Sequence, residues 1–257
     1  MSVHPQPPTS ITPDFTGTKA VGSFFQSVLS LLEDWKPALG DLFADENRPP
    51  ARRDVDAVAE PLADYLLGRC GYPLAGAGFV ASHSVLSDAA WHMAWWQGST
   101  KEQLLPSNME SVGETYSRRE WFTVPVETGL SHVTGPYVDF LCTDEYTVTM
   151  TSPVVVQGRT VGVVGADVFV ESLETVLLPA LRQMHPGATL VNRAGRVIVS
   201  ANPQLAAGRL LVSGWRQSAT PVKTKTELRG TEFSGLRAAV HGCAHLPLAV
   251  VIPDERI

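Results

Sequence analysis

YSRREWFTVPVETGLSHVTGPYVDFLCTDEYTVTMTSPVVVQGRTVGVVGADV, residues 116–168, decides how this chain folds. Tyr146, Val148 and Met150 alternate with Thr147, Thr149 and Thr151, the period-two pattern of a half-buried strand. Pro153 and the run Val154 to Val156 follow. Gln157-Gly158 is a tight turn, and Arg159 to Val168 returns as a second strand, so the pair reads as a hairpin. The residues ahead of it supply one or two further strands. Asp167 falls at the end of the returning strand, on the same face as Val161 and Val163 by alternation. A carboxylate on an apolar face is costly unless something pairs with it.

Downstream, Glu171 to Met184 is helical, with Leu173, Val176, Leu177 and Leu181 on one side, and Pro186-Gly187 breaks it. Thr189 to Val191, the turn Asn192 to Gly195, and Val197 to Ser200 predict a second hairpin. Further strands are expected near 224–228, 236–241 and 248–252. Upstream, residues 1–17 hold four prolines and read as a disordered arm. Val21, Phe24, Phe25, Val28, Leu31, Leu32 and Trp35 recur at helical spacing. Asn47-Arg48-Pro49-Pro50 ends that segment. A second helix starts with Asp54 as N-cap, carries the stripe Val55, Val58, Leu62, Leu66, and closes at Gly71. This helical pair is either core packing or a dimer surface. Gly78 to Val85 predicts a strand-turn-strand around Ser82-His83. Trp91, Met93 and Trp95 alternate on a strand face, as core or as the aromatic wall of a ligand pocket. Residues 99–115 are polar, a loop with a short helix.

The resulting fold class is mixed α and β. N-terminal helices (18–70) precede two units with antiparallel sheets, 71–170 and 185–257, joined by the helix 171–184. Short turns between strands favour antiparallel pairing over helical crossovers. The two units read as distant structural relatives.

With 257 residues, 44% hydrophobic and 18% charged, the chain can build a sizeable core. A net charge of -6 without clustered Lys and Arg argues against nucleic acid as a partner. Cys70, Cys142 and Cys243 are far apart and odd in number, which favours a reducing compartment over a disulfide framework. No metal-ligand spacing, phosphate-binding loop, nucleophile elbow or dinucleotide fingerprint occurs. Neither a cofactor nor an enzymatic activity is therefore expected, and Cys142 reads as a small buried hydrophobe rather than a nucleophile. No apolar run reaches the roughly twenty residues of a membrane span, and MSVHPQPPTS has no signal-peptide pattern, so a cytoplasmic location is expected.

Arg119-x-Trp121-Phe122, Gly135-Pro136-Tyr137, Thr149-x-Thr151-x-Pro153-Val154 and Gly162-Val163-Val164-Gly165-Ala166-Asp167, in that order, resemble the ligand-binding half of double Cache sensor domains. These are PAS-like sensors of bacterial chemoreceptors and sensor kinases. Residues 189–200 and Leu246 to Pro253 are similar to that family's second unit, so the resemblance covers roughly residues 70–253. It implies a small-molecule sensor of amino-acid or amine type. Asp167 would take the ligand's ammonium, and Arg119 with the Trp121 region would hold its carboxylate end. The sequence departs from the family pattern in two places: Glu114 stands where a Tyr precedes the Arg by five residues, with Tyr116 nearest, and Phe122 lacks a hydroxyl.

The chemistry is sensible on its own terms. A buried ammonium needs a carboxylate and hydrogen-bond acceptors. Tyr137 and Trp121 offer π-faces to a cation. If Tyr137 faces the pocket, Asp139 does too by strand alternation. Arg119 can hold a carboxylate in a bidentate way, although on a strand Arg118 and Arg119 point to opposite faces. Asp167 has two structural alternatives, capping the following helix or pairing with Arg119, and Trp121 has one, plain core. The candidate ligand site is thus Tyr116, Arg119, Trp121, Phe122, Tyr137, Asp139 and Asp167. The expected partners are an amino acid or amine and a separate regulatory protein. Two alternatives stand beside this. One is a dimerisation or docking module, dimeric through the N-terminal helices, with a vestigial pocket. The other is a sensor for a small carboxylate held by Arg119.

Overall fold

The structure, a computed structural model, describes residues 16–105, 108–139, 145–211, 224–227, 237–243 and 245–254. Three helices come first: α1 (Thr16–Glu33), α2 (Lys36–Leu42) and α3 (Arg52–Gly68). Next are β1 (Gly76–Ala81), β2 (Met93–Gln97), β3 (Glu102–Gln103), α4 (Met109–Tyr116), α5 (Glu120–Thr128), β4 (His132–Val138), β5 (Tyr146–Val156) and β6 (Arg159–Phe169). Helix α6 (Val170–Met184) leads to β7 (Thr189–Asn192), β8 (Val197–Ser200), β9 (Thr224–Glu227), β10 (Arg237–Gly242) and β11 (Leu248–Pro253). No helix among the described residues is long and apolar enough to cross a membrane.

The strands form two antiparallel sheets, in the orders β3-β2-β1-β6-β5-β4 and β8-β7-β11-β10-β9. With the two-residue β3 set aside, both sheets have the same order: second, first, last, fourth, third. The two units are therefore built on one topology. The hairpin β5-β6 turns at Gln157-Gly158, with φ of 51° and 81°. Two successive positive φ values match the right-handed twist of the flanking strands.

One face of the first sheet packs beneath the N-terminal helices. Phe79, Trp96, Val148, Met150, Val164 and Val168 meet Phe25, Val28, Leu32, Leu39, Val55 and Ala59 in a buried cluster. The same cluster runs on through Leu173, Leu177 and Leu181 of α6 to Leu190, Ile198, Leu248 and Val250 of the second sheet. The helical stripe of α1 is thus core packing within the chain. The opposite face of the first sheet carries a separate cluster, Val80, Met93, Trp95, Tyr116, Trp121, Phe122 and Val163, covered by α4 and α5.

Several sequence expectations give way. The segment around Trp121 is the helix α5, not a strand. Gly129 in the left-handed region (φ 68°) terminates it, and Trp121, Phe122 and Pro125 form its buried side. Ser82-His83 is not a hairpin turn, since β1 ends at Ala81 and the chain returns only at Met93. Trp91 consequently precedes β2. Asp54 is the third residue of α3 rather than its N-cap. Its carboxylate accepts the Ala51 backbone N–H at 3.0 Å. Val161 lies in the helix-side core, not on the face of Val163. The register of β5 and β6 slips there, from Val155 opposite Thr160 to Val154 opposite Gly162, so Val161 is an extra residue that restarts the alternation. Cys142 lies outside the described residues.

A chain beginning at Gly71 would expose the whole helix-side face of the first sheet, with Phe79, Trp96 and Met150 stripped of their partners. Circular dichroism and chemical denaturation are expected to find no cooperative unfolding in that truncation, because burying a single side chain of this size stabilises by about 1.5–3 kcal/mol. A cooperative transition like that of the full chain would contradict this packing.

Candidate ligand-binding site

The face under α4 and α5 carries a partly open cavity of about 30 Å³ lined by Val80, Met93, Trp95, Trp121, Tyr137, Asp139, Thr149 and Asp167. That is room for one or two waters. Five strands and a helix meet there, and strand alternation sends each strand's lining residues to the same side. Gly76, Gly78 and Val80 of β1 lie beside Asp167, Gly165 and Val163 of β6. The glycines leave a floor for the Trp95 indole. A Cβ on Gly165 would lie 3.2 Å from Trp95 Cη2, and one on Gly76 would lie 2.6 Å from Trp95 Nε1 and 3.4 Å from Asp167 Oδ2. The indole Nε1–H is buried without a hydrogen-bond partner.

Trp121 arrives from the first turn of α5. Pro125, four residues later, has no N–H to give the Trp121 carbonyl. The Thr151 hydroxyl donates to that carbonyl instead, at 2.8 Å, and ties the helix to β5.

Asp167 is buried, and Thr149 directly opposite on β5 is its hydrogen-bond partner. Thr149 Oγ1 donates to Asp167 Oδ1 at 2.6 Å, and Tyr137 OH lies 2.6 Å from Thr149 Oγ1. With the single threonine proton used on Asp167, the tyrosine donates to the threonine. No cation pairs with Asp167 among the described residues, and the N-cap of α6 is Phe169. Neither structural alternative for Asp167, helix cap or partner of Arg119, is realised. Burial pushes its carboxyl up to about 7; the Thr149 hydrogen bond opposes that rise and the Asp139 charge adds to it.

The seven residues expected at the site separate into two groups. Trp121, Tyr137, Asp139 and Asp167 line the cavity together. Tyr116 is fully buried behind it and donates to the Ala81 carbonyl at 3.0 Å, with its ring against Trp91, Trp121 and Phe122. Phe122 is buried in the same aromatic cluster without lining the cavity. Arg119 is exposed at the N-cap of α5, as is Arg118 just before it, and neither reaches the cavity. Thr149 and Val80 line the cavity without a sequence signal for it, whereas of the face Trp91, Met93 and Trp95, read as wall or core, Met93 and Trp95 line it and Trp91 does not. In the second unit, the sheet face not used by the main core is filled by Val191, Val197, Leu205, Val240 and Val251.

Residues 97–175 match the family model of the first PDC sensor domain of methyl-accepting-chemotaxis-protein-like proteins. Among solved structures, the chain is similar over 93% of its length to the ligand-binding domain of the Pseudomonas aeruginosa PAO1 amino acid chemoreceptor PctC, in complex with GABA. The TM-score is 0.56, the identity 16%, and 94% of that chain is covered. The sensory domain of the Campylobacter jejuni chemoreceptor Tlp3 with isoleucine bound gives a TM-score of 0.58 at 13% identity, covering 93% of this chain and 87% of that one. The ligand-binding domain of the Pseudomonas fluorescens chemoreceptor CtaA with L-alanine gives 0.55 at 16%, covering 93% and 92%. No curated protein sequence matches the chain. The fold is that of the double Cache (PDC) sensor domains, as the sequence resemblance implied.

The raised Asp167 carboxyl makes stability depend on pH. Between its ordinary value of 3.8 and about 7, the folded chain holds a proton that the unfolded chain has lost. Stability from this group is full below about pH 4, declines as pH rises to about 7, and is flat above. Asp167→Asn removes the titration and keeps an acceptor for Thr149. It is expected to melt several degrees above the parent at pH 8, for a gain of a few kcal/mol, with the gap closing toward pH 4. Thermal melts of both proteins across that range test this, and a variant less stable than the parent at pH 8 would contradict it.

Proposed function

We propose that this chain is a sensor domain for a small ammonium-bearing ligand, an amino acid or related amine, and that it reports binding to a separate regulatory partner. The observation that carries the reading is Asp167, a buried carboxylate without a cation among the described residues, on the wall of a cavity shared with Asp139, Tyr137, Trp95 and Trp121. A ligand ammonium supplies the missing charge, and the aromatic faces add cation–π attraction. The chemoreceptor domains of the same fold, in complex with GABA, isoleucine and L-alanine, support an amine-bearing ligand.

The cavity of about 30 Å³ is smaller than any amino acid, so binding requires the walls to part. That movement is the signal under this reading: the ligand favours an open arrangement and shifts the population toward it. Strand β4, which carries Tyr137, is tied to the second unit. Asn192 Nδ2 donates to the Gly135 carbonyl at 2.7 Å, so displacement of β4 bears on β7.

The small cavity also favours a second reading, a docking module with a vestigial pocket. The carboxylate-sensor alternative has no comparable support, because Arg119 is exposed outside the cavity.

A thermal-shift screen of amino acids, amines and polyamines is expected to find stabilising ligands, since binding to the native state raises stability by mass action. Stabilisation by none of them favours the docking module. For a ligand that binds, Asp167→Asn is expected to lower affinity by at least about a hundredfold. Affinity in the parent should also depend on pH. An ammonium pairs with the ionised carboxylate, so below pH 7 a proton must leave first. Calorimetry is expected to show affinity rising about tenfold per unit up to pH 7 and then levelling. A flat profile between pH 5 and 7 would separate binding from Asp167.

A further inference from the structure

The cavity lining has a charge imbalance that narrows the ligand class, given the amine-binding reading above. Two carboxylates, Asp139 and Asp167, face the cavity, and no Lys, Arg or His lines it among the described residues. The nearest cations in sequence, Arg118 and Arg119, are exposed. The adjoining segment 140–144, Phe-Leu-Cys-Thr-Asp, brings no basic residue by its sequence. The remaining polar handle is a neutral donor: the Trp95 indole Nε1–H, buried and without a partner. The indole nitrogen packs directly on Gly76, where a Cβ would lie 2.6 Å from Nε1 and 3.4 Å from Asp167 Oδ2, so the N–H and the carboxylate are neighbours across that glycine.

We propose that this site selects amines that carry no carboxylate, taking the ammonium at Asp167 and a neutral ligand oxygen on the Trp95 Nε1–H. An α-amino acid puts its carboxylate one carbon from its ammonium. With the ammonium on Asp167, that carboxylate enters a confined space beside an acid, where no basic residue lines the cavity among the described residues. Like charges at such range repel, and a buried carboxylate without a counter-ion is strongly disfavoured. A hydroxyl, ether or amide oxygen in the same place accepts from the indole and brings no charge. Amino alcohols are the simplest ligands of this kind. The ligand class thus differs from GABA, isoleucine and L-alanine, bound by the domains of similar fold.

Calorimetric titration of the full chain with matched pairs tests this: L-alanine against L-alaninol, and L-valine against L-valinol. Each pair shares a carbon skeleton and differs by carboxylate against hydroxymethyl. Each amino alcohol is expected to bind at least about tenfold more tightly than its amino acid. Isopropylamine, with a methyl in place of the hydroxymethyl of alaninol, isolates the indole contact. Trp95→Phe, checked by melting, should weaken L-alaninol about three- to tenfold more than it weakens isopropylamine, since both lose the same aromatic face and only the alcohol loses the indole hydrogen bond. An amino acid that binds as tightly as its amino alcohol overturns this selectivity while the amine-sensor reading stands. If none of the five probes binds, or if their binding survives Asp167→Asn, the amine-sensor reading falls and the selectivity with it.

Discussion

Asp167 is held in a wall of the first sheet with a threonine hydroxyl as its hydrogen-bond partner and no positive charge beside it among the described residues. An isolated buried carboxylate is among the costliest groups a fold can carry. The chain moderates that cost by letting the carboxyl hold a proton up to about pH 7 and by the relay from Tyr137 through Thr149. Everything around the group maintains this condition. The glycines of β1 and β6 let the Trp95 indole lie flat beside it, and Trp121 closes the top from α5. Local instability kept in a cavity wall is how a binding site stores a preference for a ligand of opposite charge.

The geometry depends on one inserted residue. Counted straight back from the Gln157-Gly158 turn, Thr149 would face Ala166. The extra residue at Val161 shifts the pairing by one, so Thr149 faces Asp167. The same bulge turns Val161 into the helix-side core and leaves Val163 and Asp167 on the cavity side. A bulge that re-aims side chains beside a site is a recurring device of sheets. The anchoring of α5 is a comparable local solution, since Pro125 frees the Trp121 carbonyl and Thr151 on the same strand takes it.

The hairpin, the helix after it and the two-unit plan were legible because their periodicities run long enough to leave one reading. The face of Asp167 was legible from strand alternation, and that of Asp139 followed by alternation from Tyr137, which the family resemblance supplied. Trp121 was placed on the right side of the molecule for a reason the sequence did not contain. Its segment is nine residues with adjacent aromatics and a proline, which fits a short helix as readily as a strand. Arg119 is the instructive difference. Its position beside Trp121 matches the family order, yet as the N-cap of a helix it faces solvent while Trp121 turns inward. Thr149 was hidden by the bulge, which leaves no mark in a pattern of alternating Thr and hydrophobic residues.

The measurement that bears most directly on this account is the pKa of Asp167, followed by carboxyl-carbon NMR in the free chain and with a saturating amine. The account requires a value near 7 without ligand, and a fall to the ordinary carboxylate range or below once an ammonium occupies the cavity. A value near 3.8 in the free chain, or one that an added bound amine leaves unmoved, would contradict it.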